Sequence, residues 1–207
     1  MTRLVKVSQD SIKEASVLIR NGELVAYPTD TVYGLGCDPF NENAVKRLLD
    51  AKNRRQGQLP LLVDNLERAE EVGRFDMTAR SLAKTFWPGP LTLVVPSKVT
   101  FPEPVTGRTN AVGLRVPARK DTLDLISSCG GMIVGTSANI SGNPSRTSAR
   151  EVMVELNGLI ELVLDGGPSE LGVESSVVKV WSGTVSILRA RAIGRDQILA
   201  AQEKQPS

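Results

Sequence analysis

Short apolar runs recur along this chain and end abruptly at polar, proline or glycine positions. Between them lie segments with apolar residues three and four apart. That alternation constrains the fold more than any other feature, because runs this short suit buried strands and the intervening spacing suits amphipathic helices. Leu4–Val7, Leu24–Tyr27, Leu61–Val63, Leu91–Val95, Gly113–Val116, Met132–Thr136 and Leu162–Asp165 read as strands. Ser11–Asn21 reads as a helix capped by Ser11, striped by Ile12, Ala15, Leu18 and Ile19, and ended by Gly22. Asn41 caps a second helix running to about Lys52, with Val45, Leu48 and Leu49 on one face. Leu66–Val72, Thr78–Phe86, Thr122–Ser128 and Ser148–Leu156 are further helices. Ser175–Val180 and Thr184–Leu188 are strands, and Arg195–Ala201 is a closing helix. The pattern predicts an α/β protein with a mixed sheet. Because three strands follow one another near the end, between the last two helices, part of that sheet is expected to be antiparallel. No repeat or linker interrupts it, so one domain is expected over residues 1–207, with a core from about 11 to 190 and the last few residues frayed.

Composition excludes more than it proposes. The 41% hydrophobic and 23% charged content is that of an ordinary globular chain. A net charge of +2 is too small to argue for nucleic-acid binding without a local cluster of cations. Cys37 and Cys129 make neither a disulfide framework nor a zinc site, and read as reduced thiols, with Cys37 a packing residue. No apolar run approaches the roughly 20 residues that span a bilayer, and no signal peptide is visible, so a cytoplasmic, membrane-free protein is expected. The chain has no histidine. Ser-His-Asp and Cys-His catalysis, imidazole acid–base work and His-ligated metals are therefore ruled out.

In open α/β sheets ligands collect where strands end. Thr29, Asp30 and Thr31 follow Leu24–Tyr27 in "YPTDTVYGLGCD", and Ser137 and Asn139 follow Met132–Thr136 in "GTSANISG". Arg189 and Arg191 follow Thr184–Leu188, Arg115 lies within "GLRVPA", and Lys52, Arg54 and Arg55 sit at a helix end in "AKNRR". Glu174, Ser175 and Ser176 open a strand after the glycine-rich "DGGPSELG". Hydroxyls, amides and cations at one edge are what a polyphosphate requires. Neither G-x-x-x-x-G-K-[ST] nor G-x-G-x-x-G is present. Each feature also has a plain structural reading. The "AKNRR" cations complement a helix C-terminus, "TSANISG" is a turn, "WPGP" is a structural turn, and Asp30 stabilises its own turn. Glu174 serves as a cap or as the partner of an arginine, and Arg115 requires a counterion or a ligand.

Taken together, "YPTDTVYGLGCD", "AKNRR", "WPGPLTLVV", "GLRVPA", "GTSANISG", "DGG" and "GVESSVV" occur in the order found in the YrdC/TsaC-like threonylcarbamoyl-AMP synthases, which the chain resembles from about Ser11 to Arg189. The resemblance implies a YrdC-like twisted mixed α/β sheet flanked by helices, with a positively lined concave cavity. It implies that L-threonine, bicarbonate and ATP, with Mg2+ accompanying the ATP, yield threonylcarbamoyl-AMP and pyrophosphate. The product serves threonylcarbamoyladenosine formation in tRNA, so tRNA or the downstream threonylcarbamoyl-transferase complex is an expected partner. By the same resemblance Lys52, Arg54, Ser137 and Asn139 form the ATP-facing catalytic tetrad. Thr29, Thr31, Arg115 and Ser175 contact L-threonine, and Ser145 and Arg189 contact the nucleotide. The chain departs from the family pattern at three places. Arg55 replaces a proline, which loosens that loop. "PLLVDN" offers Asp64 where many relatives have a substrate-side histidine. Arg189-Ala190-Arg191 replaces Arg-Pro-Gly, leaving Arg191 as an added phosphate contact. The length leaves no room for the extra C-terminal domain of longer relatives. The alternative reading is a non-catalytic double-stranded RNA or tRNA-binding protein that uses Lys52, Arg54, Arg55, Arg115, Arg189 and Arg191 on phosphates. A second enzymatic alternative, the related carbamoyl-transfer domain of hydrogenase maturation, belongs to much longer chains.

Overall fold

The computed structural model describes residues 1–54 and 58–203. Arg55 and the final residues 204–207, expected to loosen a loop and to fray respectively, lie outside the described residues. The strands are β1 (Arg3–Lys6), β2 (Val25–Tyr27), β3 (Gly34–Gly36), β4 (Leu61–Val63), β5 (Leu91–Pro96), β6 (Ala111–Arg115), β7 (Met132–Val134), β8 (Thr136–Ser137), β9 (Leu162–Asp165), β10 (Ser176–Trp181) and β11 (Thr184–Arg189). The helices are α1 (Gln9–Arg20), α2 (Glu42–Ala51), α3 (Leu66–Val72), α4 (Met77–Phe86), α5 (Glu103–Thr106), α6 (Lys120–Ser128), α7 (Ala149–Leu156) and α8 (Arg195–Glu203). No described helix is long and apolar enough to cross a membrane.

Caps fix most helix starts. Asn41 accepts from the Ala44 N–H and starts α2 as expected. Ser148 and Glu151 form a reciprocal capping box on α7. The first helix is capped by Ser8 rather than Ser11. Ser11 is instead the third helical residue and returns a bond to the Ser8 N–H, so the helix gains the turn between them. Such a cap contributes about 1 kcal/mol.

The expected mixed sheet is present as two. One has five strands in the order β1-β9-β2-β3-β8, and the other has six in the order β11-β10-β5-β6-β4-β7. Each mixes parallel pairs (β1 with β9, β5 with β10) and antiparallel pairs (β2 with β3, β5 with β6). The single strand anticipated over Met132–Thr136 divides between them, β7 pairing with β4 and β8 with β3. Gly135 is the crossing point. Its N–H donates to the Pro60 carbonyl at 2.8 Å, while the Val134 N–H donates to Cys37 at 3.0 Å. A Cβ on Gly135 would overlap the Leu62 side chain of β4, so the chain can cross beside that strand only because the residue is glycine. The glycines of "YGLGC" form β3, a strand, and not the loop their composition suggests.

Period-two alternation sorts the six-stranded sheet into two faces. Leu91, Leu93, Val95, Val112, Leu114, Leu61, Val63 and Val178 are buried in the main apolar core with residues of α2, α3 and α4. The alternate positions, Thr92, Val94, Gly113, Arg115, Leu62 and Val177, turn to the other side and line a cavity. A second apolar body packs α1 and α6 against β2 and β9 through Ile12, Ile19, Val25, Tyr27, Leu125, Ile126 and Leu162.

Candidate functional site

The cavity measures about 630 Å³, within the range of small-molecule sites. The six-stranded sheet forms its floor. Thr29 to Gly34 and Ser137 to Asn143 wall one side, Lys52, Arg54 and Gln58 another, and Glu174, Ser175, Leu188 and Arg189 a third. Three polar groupings meet there.

The first is buried. The Arg115 guanidinium donates from Nε to the Gly89 carbonyl at 2.9 Å, from Nη1 to Thr31 Oγ1 at 2.8 Å and from Nη2 to Asp30 Oδ1 at 2.5 Å. Asp30 Oδ1 also accepts the Ala118 N–H at 3.2 Å, whereas Oδ2 has no partner among the described residues. Arg115 and Asp30 side chains are 6% and 4% exposed, so this ion pair is sealed beneath the cavity. Asp30 is therefore the arginine's counterion and not the turn-stabilising side chain expected; the N–H groups of Thr31 and Val32 go to Thr29 Oγ1 instead. Burial lowers the Arg115 pKa, and the Asp30 charge opposes that shift. Thr29 Oγ1 donates to the Val32 carbonyl at 2.6 Å, which leaves Thr31 as the donor in the 2.9 Å bond between the two hydroxyls. Thr29 Oγ1 also accepts the Thr31 and Val32 N–H groups, so its hydroxyl is fully engaged within the turn. Thr31 retains a lone pair, and both residues line the cavity.

The second grouping follows α2. Asn53 takes a left-handed φ of 48°, a conformation asparagine tolerates, and turns the chain so that Lys52 and Arg54 both line the cavity. The Lys52 ammonium donates to the Ser137 carbonyl, to the Asn139 carbonyl at 2.7 Å and to Asn139 Oδ1 at 3.5 Å. Its three protons hold the "TSAN" loop, so its contribution to a ligand is charge rather than a free N–H. The Asn139 amide is likewise used on the Ile140 and Asn143 carbonyls, at 3.1 and 2.7 Å. Burial, then the nearby Arg54 guanidinium, pull the Lys52 pKa down to about 8, with Glu155 and Glu174 opposing. Burial also lowers the Arg54 pKa. Arg54 Nη2 donates to the Gln58 carbonyl at 3.3 Å.

The third grouping joins β5, β10 and β11. Ser175 and Thr92 hydroxyls bond at 3.0 Å. Arg189 donates from Nε to the Ser175 carbonyl at 3.0 Å, from Nη2 to Ser175 Oγ at 3.3 Å and from Nη1 to Glu174 Oε2 at 2.7 Å. Ser145 Oγ donates to the other Glu174 oxygen at 2.8 Å. Ser145 thus meets the cavity through Glu174 and is not itself on the lining.

Two other positions fall elsewhere. Asp64, just past the end of β4, accepts from Asn65 and Ser127 at 3.0 and 3.1 Å and is not on the cavity lining, so it does not take the place of a substrate-side histidine. Arg191 is exposed and off the lining, its backbone N–H bonding Ser176 Oγ at 2.9 Å, and adds no phosphate contact there. The Cys37 and Cys129 thiols are pushed up to about 12 by burial, as expected of packing residues. Glu174, the one carboxylate among the described lining residues, is the partner of an arginine, one of the two roles expected of it, whereas sequence reasoning missed that Asp30 is the counterion of Arg115.

Fold and site together define a two-sheet α/β protein with a partly open cavity whose described lining includes Lys52, Arg54, Arg115, Arg189 and Glu174. A family model described as "Telomere recombination" (Sua5_yciO_yrdC) matches residues 17–190. The chain belongs to this Sua5/YciO/YrdC family. It is 40% identical over 195 residues to the threonylcarbamoyl-AMP synthase of Pyrococcus abyssi, covering 93% of this chain and 57% of that one. Against the threonylcarbamoyl-AMP synthase of Bacillus subtilis it is 39% identical over 204 residues, 97% of this chain and 59% of that one. The solved structure of P. abyssi Sua5 complexed with L-threonine superposes with a TM-score of 0.92 at 39% identity, over 97% of this chain and 61% of that one. The chain thus spans less than two thirds of the length of these relatives.

Proposed function

We propose that the chain is a threonylcarbamoyl-AMP synthase: L-threonine, bicarbonate and ATP are converted to threonylcarbamoyl-AMP and pyrophosphate. One observation carries this reading. A fixed, buried arginine, Arg115, and a separate set of cations, Lys52, Arg54 and Arg189, line the same cavity, in a chain 39% identical to a protein whose solved structure contains L-threonine. In the first step the free threonine amine forms an N–C bond to the carbon of CO2 with loss of a proton, or to that of bicarbonate with loss of water, to give a carbamate. A carbamate oxygen then attacks the α-phosphate, the P–O bond to the leaving pyrophosphate breaks, and no protein nucleophile is required. Arg115 has guanidinium protons beyond those given to Gly89, Thr31 and Asp30, and these suit the amino-acid carboxylate. Lys52, Arg54 and Arg189 offset charge on the phosphates, which is the main catalytic requirement of such a transfer. Ser137, Asn139, Thr29, Thr31, Ser175 and, through Glu174, Ser145 shape the walls that position the two substrates.

Magnesium enters this reading as part of MgATP. No group of three or more potential ligands exists among the described residues, and Glu174 is already bonded to Arg189 and Ser145, so the donor set does not suit a resident ion. The reading places the protein in the cytoplasm, supplying a downstream threonylcarbamoyl transfer to tRNA. The competing RNA-binding reading is not favoured, because Lys52 and Arg115 are only 2% and 5% exposed and face a cavity too narrow for a duplex.

The test is pyrophosphate release from ATP that requires both L-threonine and bicarbonate. Calorimetry with L-threonine and L-serine tests the amino-acid assignment. Folded protein that releases no pyrophosphate and binds neither amino acid overturns the reading.

A further inference from the structure

Two arginine–carboxylate pairs border the cavity, and their environments differ. Asp30–Arg115 is sealed at 4% and 6% exposure, and breaking it would strand a buried charge. Glu174–Arg189 is 34% and 37% exposed, and a pair that open binds weakly. Arg189 also keeps two bonds to Ser175 that do not depend on Glu174, and Glu174 keeps its bond from Ser145. Either member can therefore leave the other and remain positioned. Glu174 lines the same cavity as Lys52, Arg54 and Ser175, and its charge opposes the fall in the Lys52 pKa.

We propose that Glu174 is an exchangeable internal anion. With the cavity empty it occupies the Arg189 guanidinium. When the phosphates of a nucleotide take that guanidinium, Glu174 is released to bond the ammonium of an α-amino acid beside Ser175. This deepens the function proposed above and rests on it. A zwitterion needs an anion as well as a cation, and Glu174 is the carboxylate among the described residues on the lining. Nucleotide and amino acid then favour each other's binding, and by linkage the factor is the same in both directions.

The experiment is calorimetry on the wild type and on Glu174→Gln, which keeps the shape of the side chain and a partner for Ser145. L-threonine is titrated with and without a magnesium-bound, non-hydrolysable ATP analogue, and the analogue is titrated alone. In the wild type the analogue should tighten L-threonine at least about fivefold. In Glu174→Gln that coupling should vanish, while the analogue alone binds about two- to fivefold tighter, since its phosphates no longer displace an exposed ion pair. The acid lacking the amino group, 3-hydroxybutanoate, should show no coupling in either protein. Weaker analogue binding in Glu174→Gln means the carboxylate merely positions Arg189 and overturns the exchange. Tighter analogue binding with the coupling intact is simple charge removal and overturns it too, as does a wild type without coupling. L-threonine that fails to bind wild type under any condition overturns the proposed function and this inference together, so the two failures are distinguishable.

Discussion

Substitution of Asp30 by asparagine isolates the sealed ion pair. The asparagine oxygen can still accept from Arg115 Nη2 and the Ala118 N–H, so the local geometry has no steric reason to change. What is lost is the charge that compensates a guanidinium 6% exposed. Removing one partner of such a pair costs about 3–5 kcal/mol. The surviving hydrogen bonds argue for the lower half of that range. The new amide N–H₂, placed where Oδ2 has no partner, adds a penalty of about 1–3 kcal/mol for unsatisfied donors. A loss of about 4–7 kcal/mol is therefore expected, which for a chain of this length is a fall in Tm on the order of 10–20 °C. Denaturant unfolding followed by Trp87 and Trp181 fluorescence reads it directly. The double variant Asp30→Asn with Arg115→Met should lose less than Asp30→Asn alone, because the stranded charge has gone. A single variant within about 1 kcal/mol of wild type, or a double variant whose loss is the plain sum of the singles, would refute the account of Arg115 as a charge held by Asp30.

Lys52 and the cavity floor offer further tests. As pH rises through about 8 Lys52 loses its charge, so nucleotide affinity should fall with a one-proton dependence, and Lys52→Arg should remove that step. Stability moves the opposite way: between about 8 and the free-lysine value of 10.5 the unfolded chain binds more protons, so this residue's contribution rises with pH across that window. Ligand titrations from one unit below to one unit above the folded value, paired with melting curves, separate the two trends. On the floor, a Cβ at Gly113 meets Pro60 at 3.4 Å and Thr92 at 3.5 Å, ordinary contacts on the cavity side. Gly113→Ala should therefore keep wild-type stability within about 1 kcal/mol, while Gly113→Val, which projects a branched side chain from the floor, should weaken ligand binding. Gly135→Ala should instead destabilise by about 1–3 kcal/mol, since it overlaps Leu62 and forces the crossing segment away from β4. Melting curves and calorimetry on the three variants check the contrast.

Local signals in the sequence carried the elements well. Asn41 and Ser148 cap the helices expected of them, and Leu61–Val63 and Leu162–Asp165 are strands with the predicted bounds. Those features depend on neighbours within a few residues, which a sequence displays. Of the residues singled out at strand ends, Thr29, Thr31, Ser137, Asn139, Glu174, Ser175 and Arg189 border one cavity, with Ser145 one contact behind it, whereas Asp30, Ser176 and Arg191 do not line it. The division into two sheets was not legible, because Met132–Thr136 is a continuous apolar run and nothing in its spacing marks Gly135 as a crossing. Nor was the partner of Asp30, which is 85 residues away in the chain. Asp64 was named only as what stands where many relatives have a histidine, and its side chain bonds Ser127 on α6, a contact 63 residues away that the sequence does not display.

The crossing at Gly135 bears on how the protein folds. Val134 completes the edge of one sheet and Thr136 the edge of the other, so neither sheet has its last strand until a single peptide segment is in place. The Lys52 bond to the Ser137 carbonyl and the Tyr27 hydroxyl bond to Val134 at 3.0 Å tie that segment to elements far apart in the chain. Assembly of the two halves is thus one cooperative event rather than two successive ones. Amide protons of β2, in the five-stranded sheet, and of β5, in the six-stranded sheet, are expected to exchange through the same global opening.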